Sequence, residues 1–233
     1  MHLLILLFCF YTPISDAAIN VMPSSHNPIS SSENLISSGN KKLLLAINLI
    51  AKTKSGKELM PYIDELLQQG KINLTKFQNG HFGESGEGCI IKNGQYDYEG
   101  LFILLNNTLS ISELASSLVH EIYHYSMIKD IVALGFNFPV KVAAFEISAF
   151  ASQYEFISEL ESLQLANSKE MFAGDAKTIA IIMHNAYKLR INWSENGYQK
   201  VFNQLVNFGY PINELNRTIS QRTEENCFGK ITH

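Results

Sequence analysis

Apolar residues recur along this chain with two different periods, and the changes between them mark its elements. From Lys41 the apolar positions Leu44, Ile47 and Ala51 follow helical spacing until Ser55-Gly56 interrupts them. A second, short helix carries Leu59, Ile63, Leu66 and Leu67 and stops at Gly70. The period then shortens toward two. Ile72, Leu74 and Lys76-Phe77 approximate strand alternation, and a glycine-rich loop follows over residues 81–88. Cys89-Ile90-Ile91 and residues 95–98 flank Asn93-Gly94, a hairpin turn whose two residues both tolerate positive φ. Gly100 precedes another strand, residues 101–105, which ends in Asn106-Asn107.

Helical spacing returns at Ser110. Ser110 and Glu113 form a capping box, in which the serine satisfies an orphan N–H and the glutamate reaches back. A helix is predicted from there to about Ala133, stopped by Gly135. Pro139 suits a first helical turn and opens the next helix, which runs to about Leu165. Two more follow, over 175–189 and 195–208, the last ended by Gly209 and Pro211. The pattern predicts an α+β fold: a small, mostly antiparallel sheet of about three or four short strands, preceded and followed by helices.

The ends of the chain carry different signals. Residues 3–11 read LLILLFCFY, too short for the roughly 20 residues that span a bilayer. Ser15 and Ala17 then match the small residues of a signal-peptidase site. This predicts a signal peptide over 1–17 and an exported chain, periplasmic or secreted. Residues 18–40 are rich in Ser, Asn and Pro without apolar periodicity, so they read as a flexible leader or pro-segment before a domain spanning 41–233. Cleavage removes Cys9 and leaves Cys89 and Cys227, whose pairing as one disulfide the sequence leaves open.

Composition narrows the function classes. The chain has 233 residues, 46% of them hydrophobic, which excludes intrinsic disorder. Eighteen basic residues against 22 acidic ones give a net charge of −4, so there is no basic surplus to neutralise phosphates and no nucleic-acid partner is expected. No other apolar stretch is long enough to span a membrane, so none is expected in the mature chain.

The chemistry is concentrated in His120-Glu121-Ile122-Tyr123-His124. On a helix, two histidines four residues apart leave the same face, one turn apart, and can bind one Zn²⁺ at about 2.0–2.1 Å. Glu121 lies about 100° round, beside the metal, where it can take a proton from an activated water and pass it to a leaving amine. Roughly 0.015 such matches arise by chance in a chain of this composition.

A catalytic site needs a third protein ligand. A following G-x-x-H is absent, because Met127 and Asp130 stand at those positions, which excludes a metzincin. Glu146, Glu155, Glu159 and His184 remain. After His124 the helix travels roughly 14 Å, the turn over 135–138 reverses the chain, and seven residues from Pro139 return it by roughly 10 Å. Glu146 thereby comes back level with the histidines. It shares its helix side with Ala149, Phe150, Ile157 and Leu160, so that side is packed inward, and a buried carboxylate needs a partner. Glu155 and Glu159 lie about 180° and 220° round, as solvated helix-face charges.

His120-Glu121-x-x-His124 followed by Glu146-x-x-Ala149 resembles the gluzincin branch of zincin metallopeptidases, over roughly Gly100 to Ile157. The resemblance implies a zincin-like peptidase domain with His120, His124 and Glu146 as zinc ligands and Glu121 as general base. It also implies that residues 101–105 form the edge strand that binds substrate backbone. The family's usual Asn before the third ligand is replaced by Phe145. Asn106 and Asn107 are candidates for holding substrate carbonyls. His184, Tyr187 and Tyr198 are candidates for oxyanion stabilisation, with weaker claims from His81 and His26. The expected function is a zinc-dependent endopeptidase acting on a peptide or protein. The competing expectations are a non-catalytic zinc- or partner-binding module on the same fold, and a secreted toxin or effector with one protein target.

Overall fold

In the computed structural model the described residues are 38–77, 83–86, 90–92, 95–97, 102–133, 139–167, 176–219 and 221. The expected signal peptide, the leader before Ser38, His81, Cys89 and Cys227 lie outside them. Helix α1, Ser38–Ile50, starts before the predicted Lys41 and turns Leu43, Ala46, Ile47 and Ile50 inward. Helix α2, Lys54–Gln68, begins where the Thr53 hydroxyl oxygen accepts the Gly56 N–H at 3.0 Å. It buries Leu59, Ile63 and Leu66, four or three residues apart, and gives way at Gly70, whose φ of 66° is the left-handed value that favours glycine.

The strands are β1 (Ile72–Thr75), β2 (Gly83–Gly86), β3 (Ile90–Lys92), β4 (Gln95–Asp97) and β5 (Phe102–Asn106). β3 and β4 form the predicted hairpin, with Lys92 opposite Gln95, as a separate two-stranded ribbon. The main sheet has the order β1-β5-β2. Its β1–β5 pairing is parallel, with Ile72 beside Ile103 and Leu74 beside Leu105, while β2 runs antiparallel to β5.

The expected α+β fold with a mostly antiparallel sheet is therefore corrected. The described chain is mostly helical, and its sheet is a small one resting on a parallel pair. The reason is scale: strands of three to five residues cannot enclose a core, whereas the helices run to 23 residues and supply most of the buried apolar side chains. Residues 102–106 are also not the edge strand that the gluzincin resemblance implied. β5 is central, and β1 and β2 are the outer strands among the described residues.

The remaining helices are α3 (Ile111–Ala133), α4 (Val142–Ser162), α5 (Ala176–Ile191), α6 (Glu195–Phe208) and α7 (Ile212–Asn216). The capping box forms: Ser110 N–H donates to Glu113 Oε2 at 2.8 Å and Glu113 N–H to Ser110 Oγ at 3.3 Å. Helix α4 buries residues on nearly every side, which makes it the central helix, packed by α3, α5 and α2. Its start is tied to the chain beyond α7. Val142 N–H donates to Arg217 O at 2.9 Å and Ile219 N–H to Val140 O at 2.8 Å, around a bridge between Lys141 and Thr218. No helix among the described residues is long and apolar enough to cross a membrane.

Candidate metal centre

α3 carries His120 and His124 one turn apart, and both imidazoles are buried on its inward face. Their Nε2 atoms lie 3.1 Å apart. α4 returns alongside and brings Glu146 Oε2 to 3.4 Å from each. The three thus form a buried group able to hold a metal ion. The spacing tests the fit: tetrahedral ligands at about 2.0–2.1 Å from zinc sit roughly 3.3–3.4 Å from one another. The observed triangle has a circumradius of about 1.9 Å, small enough for all three atoms to reach one ion from slightly off its centre. Two imidazoles with one carboxylate serve both catalytic zinc and non-haem iron.

Aromatic rings hold the imidazoles in place. The Phe145 ring lies nearly parallel to that of His124, with centroids 4.3 Å apart and planes at 19°. Phe150 meets His120 edge-on at 4.5 Å. Ala149, fully buried one turn after Glu146, keeps the neighbouring helix surface small. The Nδ1 atoms of both histidines are buried without hydrogen-bond partners.

Charge is balanced within the group. Burial alone would raise the Glu146 pKa, but the charge of His124, hydrogen bonds from both imidazoles and the charge of His120 hold the carboxyl well below its ordinary range. Burial alone would likewise lower His120. Hydrogen bonding to Glu146, the charges of Glu121 and Glu146 and a contribution from Gln153 outweigh it and raise the imidazole pKa above 6.5.

Glu121 is buried beside the triangle without belonging to it. Edge strand β2 passes over it: a Cβ built on Gly83 would come within 3.6 Å of Glu121 Cγ. A further residue, absent from the sequence-based candidates, reaches the centre from the opposite end of the chain. Gly209 ends α6 with a φ of 120°, and Tyr210 in the following turn donates its hydroxyl to Glu146 Oε2 at 3.0 Å. Two helix stoppers around a tyrosine were visible in the sequence, but the helix that this tyrosine faces was not.

The other candidates are engaged elsewhere. Glu159 accepts from the N–H and hydroxyl of Ser55 at the start of α2, and Glu155 pairs with Arg190, so both have structural partners. His184 Nδ1 meets the Tyr154 hydroxyl at 3.0 Å, Tyr187 packs on Tyr154 under Arg190, and Tyr198 packs between Trp193 and Phe202. These contacts turn His184 and Tyr187 toward α4, and Tyr198 toward Trp193 and Phe202, rather than to the His120, His124 and Glu146 group. Asn106 is buried, and its Oδ1 accepts from the Thr108 N–H and hydroxyl, while the Asn107 carbonyl accepts from Lys42 at 2.7 Å. Compared with known proteins, the chain matches no family model, no curated protein and no solved structure.

Proposed function

We propose that the chain is a zinc-dependent peptidase in which His120, His124 and Glu146 hold the ion and Glu121 is the general base. The observation that carries this reading is the buried, zinc-sized triangle with a carboxylate next to it that is not one of its corners. A purely structural metal site has no use for that extra acid. Zinc, when bound, supplies Lewis acidity and brings the pKa of a coordinated water toward about 7.

The residues of the chain do the rest. Glu121 accepts the proton of the attacking water and delivers it to the departing amine. Phe145 and Phe150 keep the imidazoles in one orientation, and the Tyr210 hydroxyl restrains the Glu146 carboxylate. A peptide laid along β2 would run past Gly83 and so past Glu121, which makes this outer strand the docking edge in this reading. Export through the residue 1–17 signal belongs to the same proposal, and N-terminal sequencing of the mature chain should start at Ala18.

Two variants test the function. Glu121→Gln should retain zinc, measured by mass spectrometry, while chelator-sensitive peptide cleavage falls by about 10²–10⁴-fold. Unchanged cleavage would remove Glu121 from the mechanism. Glu146→Ala should lose zinc, and equal occupancy in both proteins would show the third ligand to be another residue. Zinc without any chelator-sensitive cleavage would favour the non-catalytic module.

A further inference from the structure

Three buried atoms at or near the centre lack partners, His124 Nδ1, His120 Nδ1 and Gln153 Oε1, and the last two belong to residues that face one another across α3 and α4. Gln153 follows Glu146 by seven residues on α4, which returns it to within about 20° of the same face and roughly 10 Å further along. Ser116 stands one turn before His120 on α3. The Gln153 Nε2 donates to Ser116 Oγ at 2.8 Å, while Glu146 sits level with His120 and His124. The helices are thus antiparallel, and the Gln153 amide lies between them beside the turn that separates Ser116 from His120. With its nitrogen committed to Ser116, its oxygen is the end left to accept. The Nε2 of His120 is turned toward His124 and Glu146, so Nδ1 is the atom left to donate.

We infer that Gln153 is a positioning residue for the metal centre: in the metal-bound protein its Oε1 accepts the Nδ1–H of His120 and fixes the tautomer whose bare Nε2 faces the ion. Metal-bound histidines commonly donate their second N–H in this way, and losing that acceptor costs about 10–100-fold in metal affinity. Gln153 already contributes as a hydrogen-bonding neighbour to the raised pKa of His120, although neither atom yet has a partner at hydrogen-bond geometry. The acceptor here is a neutral amide. It orients the ring without adding the negative charge that a carboxylate would, so the centre holds its ion less tightly than it could. The inference rests on the metal reading of His120 and is independent of peptidase activity.

The experiment is zinc competition against a chromophoric chelator, together with ¹⁵N spectra of the histidine side chains. Gln153→Met keeps the length and removes the acceptor, and it should bind zinc about 10–100-fold more weakly. Gln153→Glu retains an acceptor and should bind at least as tightly as wild type. In zinc-loaded wild type the His120 proton should sit on Nδ1. Wild-type affinity in Gln153→Met would overturn the role while leaving the metal centre standing, whereas a His120 proton on Nε2 in the zinc-loaded protein would overturn the Nε2 ligation on which both rest. A wild-type protein that takes up no zinc would overturn both. If Gln153→Met fails to fold, the His120 Nδ1–H proton shift decides: a downfield move in Gln153→Glu relative to wild type supports the contact, and an unchanged shift overturns it.

Discussion

Phe145 occupies the position next to the third ligand where the gluzincin resemblance leads one to expect Asn, and its ring lies flat against His124. A polar residue there could hydrogen-bond. The phenyl ring can only press, and it does so while 2% exposed. Phe145→Ala should cost about 3–5 kcal/mol of stability, as expected for emptying a buried aromatic site. It should also weaken zinc binding, since His124 gains room to turn. Urea unfolding in chelator reads the first effect and zinc competition the second; a stability loss with unchanged affinity would reduce Phe145 to core packing. At this scale the grouping of His120 with His124 was legible, because spacing on a helix is a local property, and that of Glu146 because its return along the next helix could be counted. The parts played by Phe145, Gln153 and Tyr210 were not, because each acts across an interface between separate segments.

At the scale of elements, β2 fits closely against both β5 and α3 at Gly83. A methyl group on Gly83 would meet Leu105 Cδ2 at 3.0 Å and the Leu104 carbonyl oxygen at 3.3 Å, on the strand that β2 pairs with. It would also reach Glu121. Gly83→Ala should therefore cost about 1–3 kcal/mol by overpacking and lower peptide cleavage by displacing the strand from Glu121, with zinc content unchanged. Equal stability and cleavage would mean that the strand has slack. Most helix positions could be read from the chain because caps, stoppers and the 3.6-residue period are written locally; the observed α6, Glu195–Phe208, matches its predicted range. The hairpin was equally visible, through Asn93-Gly94. The parallel pairing of β1 with β5 was not, since it joins segments about 30 residues apart and no local pattern encodes which neighbour a strand takes.

For the whole molecule, the cage links stability to pH with a sign that metal reverses. The depressed Glu146 pKa stabilises the metal-free fold above the ordinary carboxylate range, and this is lost as pH falls through the lowered value. The raised His120 pKa stabilises it below 6.5, and this is lost as pH rises through the raised value. Metal-free protein should therefore have a higher urea midpoint near about pH 6 than near about pH 8.5. Zinc-loaded protein should show the opposite order, because coordination requires neutral imidazoles. The same order in both states would mean that zinc does not sit on these histidines.

The short bridge that fastens Val140–Val142 to Arg217–Ile219 gives the molecule a direction in time. Synthesis delivers both histidines and the Glu146 carboxylate long before it delivers the segment that anchors the start of α4, or the tyrosine that steadies the carboxylate. While it is still emerging from the ribosome, the chain thus has all three candidate ligands but lacks the clasp that squares them up. The grouping of His120, His124 and Glu146 is therefore squared up only after residues 210–219 have been made and packed back on α4.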